Sequence, residues 1–95
     1  GTAPASSLVT VAQAYMPEAY AGATVTTQGA NRIVTITDDN GRPIAGARCT
    51  LDRSITRTTD NGGRVAFPIA ALGPGSHVID VVATGYQAFQ LPVVI

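Results

Sequence analysis

The chain has 95 residues, 45% of them apolar and 5% aromatic, with six acidic and six basic side chains and one cysteine. That length holds one small domain, whose aliphatic core must form without tryptophan and without an internal disulfide. A net charge of zero and the lack of any apolar run near the ~20 residues that span a bilayer argue against nucleic-acid partners and membrane insertion, and because all six bases are arginines, lysine chemistry such as a Schiff base is excluded.

Taken in chain order, Gly1 to Ser7 reads as a linker or a cut end, without the basic start and long apolar stretch of a signal peptide. Residues 8–95 are assigned to a single β-sandwich domain. Leu8 to Tyr15 fits a strand by its valines and threonine or a short helix after Ser6 and Ser7; a strand near residues 8–14 is favoured, followed by a loop. Within that loop Pro17 to Gly22 has the proline-first, glycine-last order of one helical turn. Ala23 to Gln28 adds a strand, joined through Gly29-Ala30-Asn31 to the next. Arg32 to Thr37 alternates Ile33, Thr35 and Thr37 against Val34 and Ile36.

Asp39-Asn40-Gly41-Arg42-Pro43 marks a turn. Ala45 to Leu51 then sets Ala47, Cys49 and Leu51 on one face and Arg48, Thr50 and Asp52 on the other, which predicts an inward Cys49 and an outward Arg48. A hairpin carrying Arg53 and Arg57 adjoins it, and Asp60-Asn61-Gly62-Gly63 is a second turn signal. Val65, Phe67 and Ile69 alternate, with Pro68 marking a strand end or edge. After Gly73-Pro74-Gly75, Ser76 to Thr84 is apolar on both faces, as a central strand is. Gln87 to Ile95 alternates Phe89, Leu91, Val93 and Ile95, and Pro92 predicts an edge or a bulge. No segment beyond residue 30 has a helical period. The expected fold is all-β, a roughly seven-stranded antiparallel Greek-key sandwich of transthyretin-like or immunoglobulin-like type.

Three stretches recur as a series: Val34-Thr35-Ile36-Thr37-Asp38 followed by Asn40-Gly41-Arg42-Pro43-Ile44-Ala45-Gly46-Ala47, then Thr58 to Phe67, then Gly75 to Tyr86. In order and spacing this resembles the carboxypeptidase regulatory-like domain of the prealbumin-like (transthyretin-like) group of β-sandwiches, over residues 32–95. An aromatic often stands in that family where this chain has His77. The resemblance implies an appended, non-catalytic module of a larger extracellular, cell-surface or virion-type assembly, with a protein partner or neighbouring domains and no cofactor. One branch of the transthyretin-like group hydrolyses 5-hydroxyisourate with several histidines, an arginine and a tyrosine-arginine-glycine-serine end. This chain has one histidine and ends Leu91-Pro92-Val93-Val94-Ile95, so it resembles that branch in fold class only. A related collagen-adhesin class staples its sheets through lysine, which is lacking here.

Candidate chemistry is sparse. His77 has Ser76 beside it and Asp80 three residues on, but residues three apart on a strand face opposite ways, so no triad is expected. One histidine and one cysteine cannot complete a zinc site in a monomer. Asp38, Asp39, Asn40, Asp60 and Asn61 are weak calcium candidates if their two loops share an end of the sandwich, although Asx turns account for all five. A carbohydrate platform, the second functional class, would draw on Tyr15, Tyr20, Phe67, Tyr86 and Phe89, several of which the core needs.

Charge is unevenly placed. Residues 42–64 hold five arginines against Asp52 and Asp60, a net of +3, and the remainder holds Arg32 against Glu18, Asp38, Asp39 and Asp80, a net of −3. Arg48, Arg53 and Arg57 are therefore the candidate partner-binding residues, because guanidinium groups are enriched at binding hot spots. The competing expectation is a solvated sheet face on which these arginines pair across strands with Asp52.

Overall fold

A computed structural model describes residues 19–95. Seven strands form two antiparallel sheets: β1 (Gly22–Gln28), β2 (Asn31–Thr37) and β5 (Arg64–Pro68) in the order β1-β2-β5, and β3 (Arg48–Leu51), β4 (Ile55–Thr58), β6 (Ser76–Val82) and β7 (Phe89–Val94) in the order β4-β3-β6-β7. The chain passes from one sheet to the other between β2 and β3, between β4 and β5, and between β5 and β6. The period-2 pattern gives each sheet one apolar face. Val34, Ile36, Val65 and Phe67 from the first meet Cys49, Leu51, Ile79, Val81 and Val93 from the second in one buried cluster. Burying a side chain of this size contributes about 1.5–3 kcal/mol, so the facing rows hold the sheets together.

The strand parities expected from sequence hold for Ala47, Cys49, Leu51, Val65, Phe67, Ile79, Val81 and Val93, all of which are buried. β6 lies between β3 and β7, as its two apolar faces implied. Pro68 closes β5 and Pro92 lies in β7, and both strands are sheet edges, where a residue without an N–H costs least.

Several boundaries differ from expectation. The strand expected over 8–14 lies outside the described residues, and the hairpin expected after Asp52 supplies β4, one of the seven strands among the described residues. The helical turn expected over Pro17 to Gly22 is not found in its described part: Ala19 bridges Tyr86 in parallel, Gln87 N–H donates to Ala19 O at 2.8 Å, and Gly22 opens β1. β3 begins at Arg48 instead of Ala45, because Gly46 turns the chain at φ +77°. Ile69 does not extend β5. It starts a single helical turn, α1 (Ile69–Leu72), which Ala70 and Ala71 favour, Leu72 anchors in the core, and Gly73 ends at φ +66°.

Candidate functional site

The sole histidine is built into a clamp. β6 parity turns His77 toward the same side as Ile79, and its register partner on β7 is Val93. Nδ1 lies 2.6 Å from Asp52 Oδ2 and Nε2 lies 3.0 Å from the carbonyl oxygen of Gly73. The other carboxylate oxygen of Asp52 accepts the Val78 N–H at 3.0 Å, and Asp52 N–H donates to Val78 O at 2.8 Å. The clamp thus joins the β3–β4 turn, the start of β6 and the loop after α1. Both ring nitrogens face acceptors, so only the imidazolium, with two N–H donors, satisfies both. The hydrogen bond to Asp52, then that to Gly73, raises the His77 pKa above its ordinary value. The same bond to His77, followed by that from Val78, lowers the pKa of Asp52.

This partnership was not legible from spacing along one strand. Asp80 sits opposite Thr50 and Gln90, on the other face of β6 from His77, and Ser76 is exposed, so the chain does not assemble a triad from Ser76, His77 and Asp80. The expectation that Asp52 pairs with the arginines is also corrected: its carboxylate is engaged by His77 and Val78. Its signal was the β3–β6 register, in which Leu51 faces Ile79 and brings the following Asp52 to the start of β6.

At the opposite end of the sandwich, one turn is built twice. In Asp38 to Arg42, Asp38 Oδ1 accepts the N–H groups of Asn40 and Arg42, both at 2.9 Å, and Gly41 N–H donates to Asp38 O at 3.1 Å. In Asp60 to Arg64, Asp60 Oδ1 accepts from Gly62 at 2.8 Å and Arg64 at 3.0 Å, and Gly63 N–H donates to Asp60 O at 2.9 Å. The glycine is required in both, with φ +78° at Gly41 and +72° at Gly63. The two loops share one end, as the calcium idea needed. In each aspartate Oδ1 is engaged by the turn's own N–H groups, and among the described residues no three His, Cys, Asp or Glu side chains gather as metal ligands.

Beneath these loops Thr59 is buried. Its hydroxyl accepts the Ala47 N–H at 2.9 Å and donates to Ile44 O at 2.6 Å. Cys49, the one thiol, is also buried, and desolvation pushes its pKa up to about 11, so it packs as a small apolar group.

The three candidate arginines are not brought together. Arg48 is exposed, opposite Thr58 and Val82 on the outer face of the four-stranded sheet. Arg53 occupies the β3–β4 turn at φ +59°. Arg57 faces Cys49 in register, hence lies on the core side, and its guanidinium stands 5.7 Å from the centroid of the Phe67 ring. A cation over an aromatic face at this range is a cation–π contact.

The aromatic candidates are also dispersed. Phe67 is wholly buried, Tyr86 and Phe89 are half-buried against the core, Tyr20 is exposed, and Tyr15 lies outside the described residues. A shallow depression of about 410 Å³ does exist on the outer face of the three-stranded sheet, lined by Thr26, Thr27, Gln28, Ile33, Thr35 and Arg64. No described helix is long and apolar enough to cross a membrane. No family model, no curated protein and no solved structure matches the chain.

Proposed function

We propose that this chain is a non-catalytic accessory or spacer module of a larger extracellular, cell-surface or virion-type assembly, a Greek-key sandwich of the prealbumin-like kind that docks a protein partner through the outer face of its four-stranded sheet. The observation that carries this reading is the pairing of Arg48 with Val82. Val82 is 47% exposed and stands directly opposite Arg48, and among the described residues no carboxylate forms an ion pair with that guanidinium. Arginine is among the residue types enriched at binding hot spots, and the exposed Val82 beside it adds apolar area that a partner could cover. Arg53 stands in the turn at the other end of β3 from Arg48. The chemistry-bearing groups that would support a hydrolase, His77 and Cys49, already serve the fold.

A carbohydrate-binding reading has one observation in its favour, the depression of hydroxyl, amide and guanidinium groups around Arg64. The two readings use opposite outer faces, so one experiment separates them. With the chain as bait, capture of a defined partner is expected to disappear in Arg48→Glu/Val82→Asp and to persist in Arg64→Gln. Binding on a glycan array that is lost only in Arg64→Gln would replace the protein-docking reading. A hydrolytic activity abolished in His77→Ala would end both.

A further inference from the structure

The two sheets leave four edge strands, and three of them are guarded. β4 is only four residues long and carries Arg57, β5 runs from Arg64 to Pro68, and β7 has Pro92 within it. Short length, charge and proline are the devices that keep sheet edges from recruiting further strands. β1 has none of them. It runs seven residues, Gly-Ala-Thr-Val-Thr-Thr-Gln, without a proline or a charged side chain, and among the described residues it is paired only to β2. Among the described residues its outer row of N–H and C=O groups is therefore open.

We propose that β1 pairs antiparallel with β1 of a second copy, joining two three-stranded sheets into one continuous sheet about a two-fold axis. The occupant follows from the strand's own chemistry. A strand without charge does not repel itself, and an isologous contact needs a self-complementary row. With the axis at Val25, the midpoint of Gly22–Gln28, Thr24 meets Thr26 of the partner subunit and Thr26 meets Thr24 of the partner subunit. These are the cross-strand threonine pairs that stabilise antiparallel ladders. They fall on the outer face, where both threonines are exposed, while Val25 continues the core-facing row. Among the described residues the charged side chain hydrogen-bonded to β1 is Arg32, whose Nη1 donates to Thr27 Oγ1. In this register Thr27 lies against Ala23 of the partner subunit, so the two guanidinium groups sit at opposite ends of the contact and do not oppose each other. The inference is independent of the docking face around Arg48, which belongs to the other sheet.

Sedimentation velocity on the whole chain from micromolar to millimolar concentration tests it. A reversible dimer is expected, with slowed amide exchange along β1. Thr24→Lys/Thr26→Lys places lysine against lysine on both sides of the axis and should raise the dissociation constant about tenfold or more. Mixing that variant with Thr24→Glu/Thr26→Glu should restore a dimer, now a heterodimer, even if either variant alone is less stable. A chain that stays monomeric to millimolar concentration, a dimer indifferent to the lysine pair, or a charge-swapped mixture that fails to associate would overturn the proposal.

Discussion

The two ends of the sandwich are held by different physics. At the end bearing the Asp38 and Asp60 turns, the joints are backbone hydrogen bonds organised by short side chains: Gly63 O accepts from Ile36 N–H at 2.7 Å, Ile36 O accepts from Ile44 N–H at 2.9 Å, and Thr59 bridges Ile44 to Ala47. At the other end the joint is ionic and made of side chains, His77 between Asp52 and Gly73. Close approach of backbones gives a joint that tolerates no added atom but is indifferent to protonation. A charged clamp at the surface tolerates volume and answers to pH. The same fold is therefore rigid at one end and titratable at the other.

The steric end should break first. A Cβ at Gly63 would stand 2.5 Å from Ile36 O and 3.1 Å from both Ile44 N and Pro43 Cβ, and the residue is held at φ +72°. Gly63→Ala combines left-handed strain with overpacking against backbone and should cost about 3–5 kcal/mol, read as the fall in denaturation midpoint in urea. Gly41→Ala shares the positive φ but has open space around the added Cβ, so about 1–2 kcal/mol is expected there. Equal losses at the two positions would show that packing at Gly63 is not what distinguishes this end. Next in size is Thr59→Val, which leaves the Ala47 N–H and the Ile44 carbonyl without their partner, for about 2–4 kcal/mol; Thr59→Ser keeps the hydroxyl and should lose clearly less.

The ionic end should show itself in the pH profile. His77 has its pKa raised in the folded state, so its contribution is present below the unfolded value of about 6.5 and is lost as pH rises through the raised folded value. Asp52 has its pKa lowered, so its contribution is present above about 3.9 and is lost as pH falls through the lowered folded value. Melting temperature should thus be highest in the mildly acidic range and decline toward alkaline pH. In His77→Gln and Asp52→Asn that decline should flatten while Gly63→Ala retains it, displaced to lower temperature. A wild-type profile level from pH 6 to 9 would show that the clamp does not distinguish the two ends.

Much of the core was readable from residue alternation, because a buried face imposes a strict period of two: Cys49 turned inward beside an outward Arg48, and an apolar β6 took the central place. What alternation could not supply was register across a turn. A two-residue loop after Leu51 would set Arg57 opposite Arg48, on the outer face. The observed pairing instead places Leu51 against Ile55, one residue further on, and Arg57 consequently opposite Cys49. A one-residue slip reverses every side chain. The gain is Ile55, which turns toward the core, and the consequence is an arginine spent on the Phe67 ring instead of a surface patch. The clamp was hidden for a related reason, since Asp52 and His77 meet only through the pairing of β3 with β6.

The β3–β4 turn yields the smallest of the expected effects, and the one that separates stability from binding. Ser54 N–H closes on Leu51 O at 2.9 Å with Asp52 at φ +49° and Arg53 at +59°, the pair of positive angles for which Asn-Gly or Asp-Gly is preferred. Asp52 has the clamp to hold it in that conformation, whereas the Arg53 side chain makes no hydrogen bond or ion pair among the described residues to offset its strain. Arg53→Gly should therefore stabilise the fold by about 0.5–1 kcal/mol, the relief of left-handed strain less the greater backbone entropy of glycine. Asp52→Gly relieves a similar angle but dissolves the clamp, so it should lose the pH dependence and gain nothing near neutrality. If Arg53 belongs to the docking side, the stabilised Arg53→Gly chain should also bind its partner more weakly than wild type. A gain in melting temperature with unchanged affinity would confine the docking surface to Arg48 and Val82.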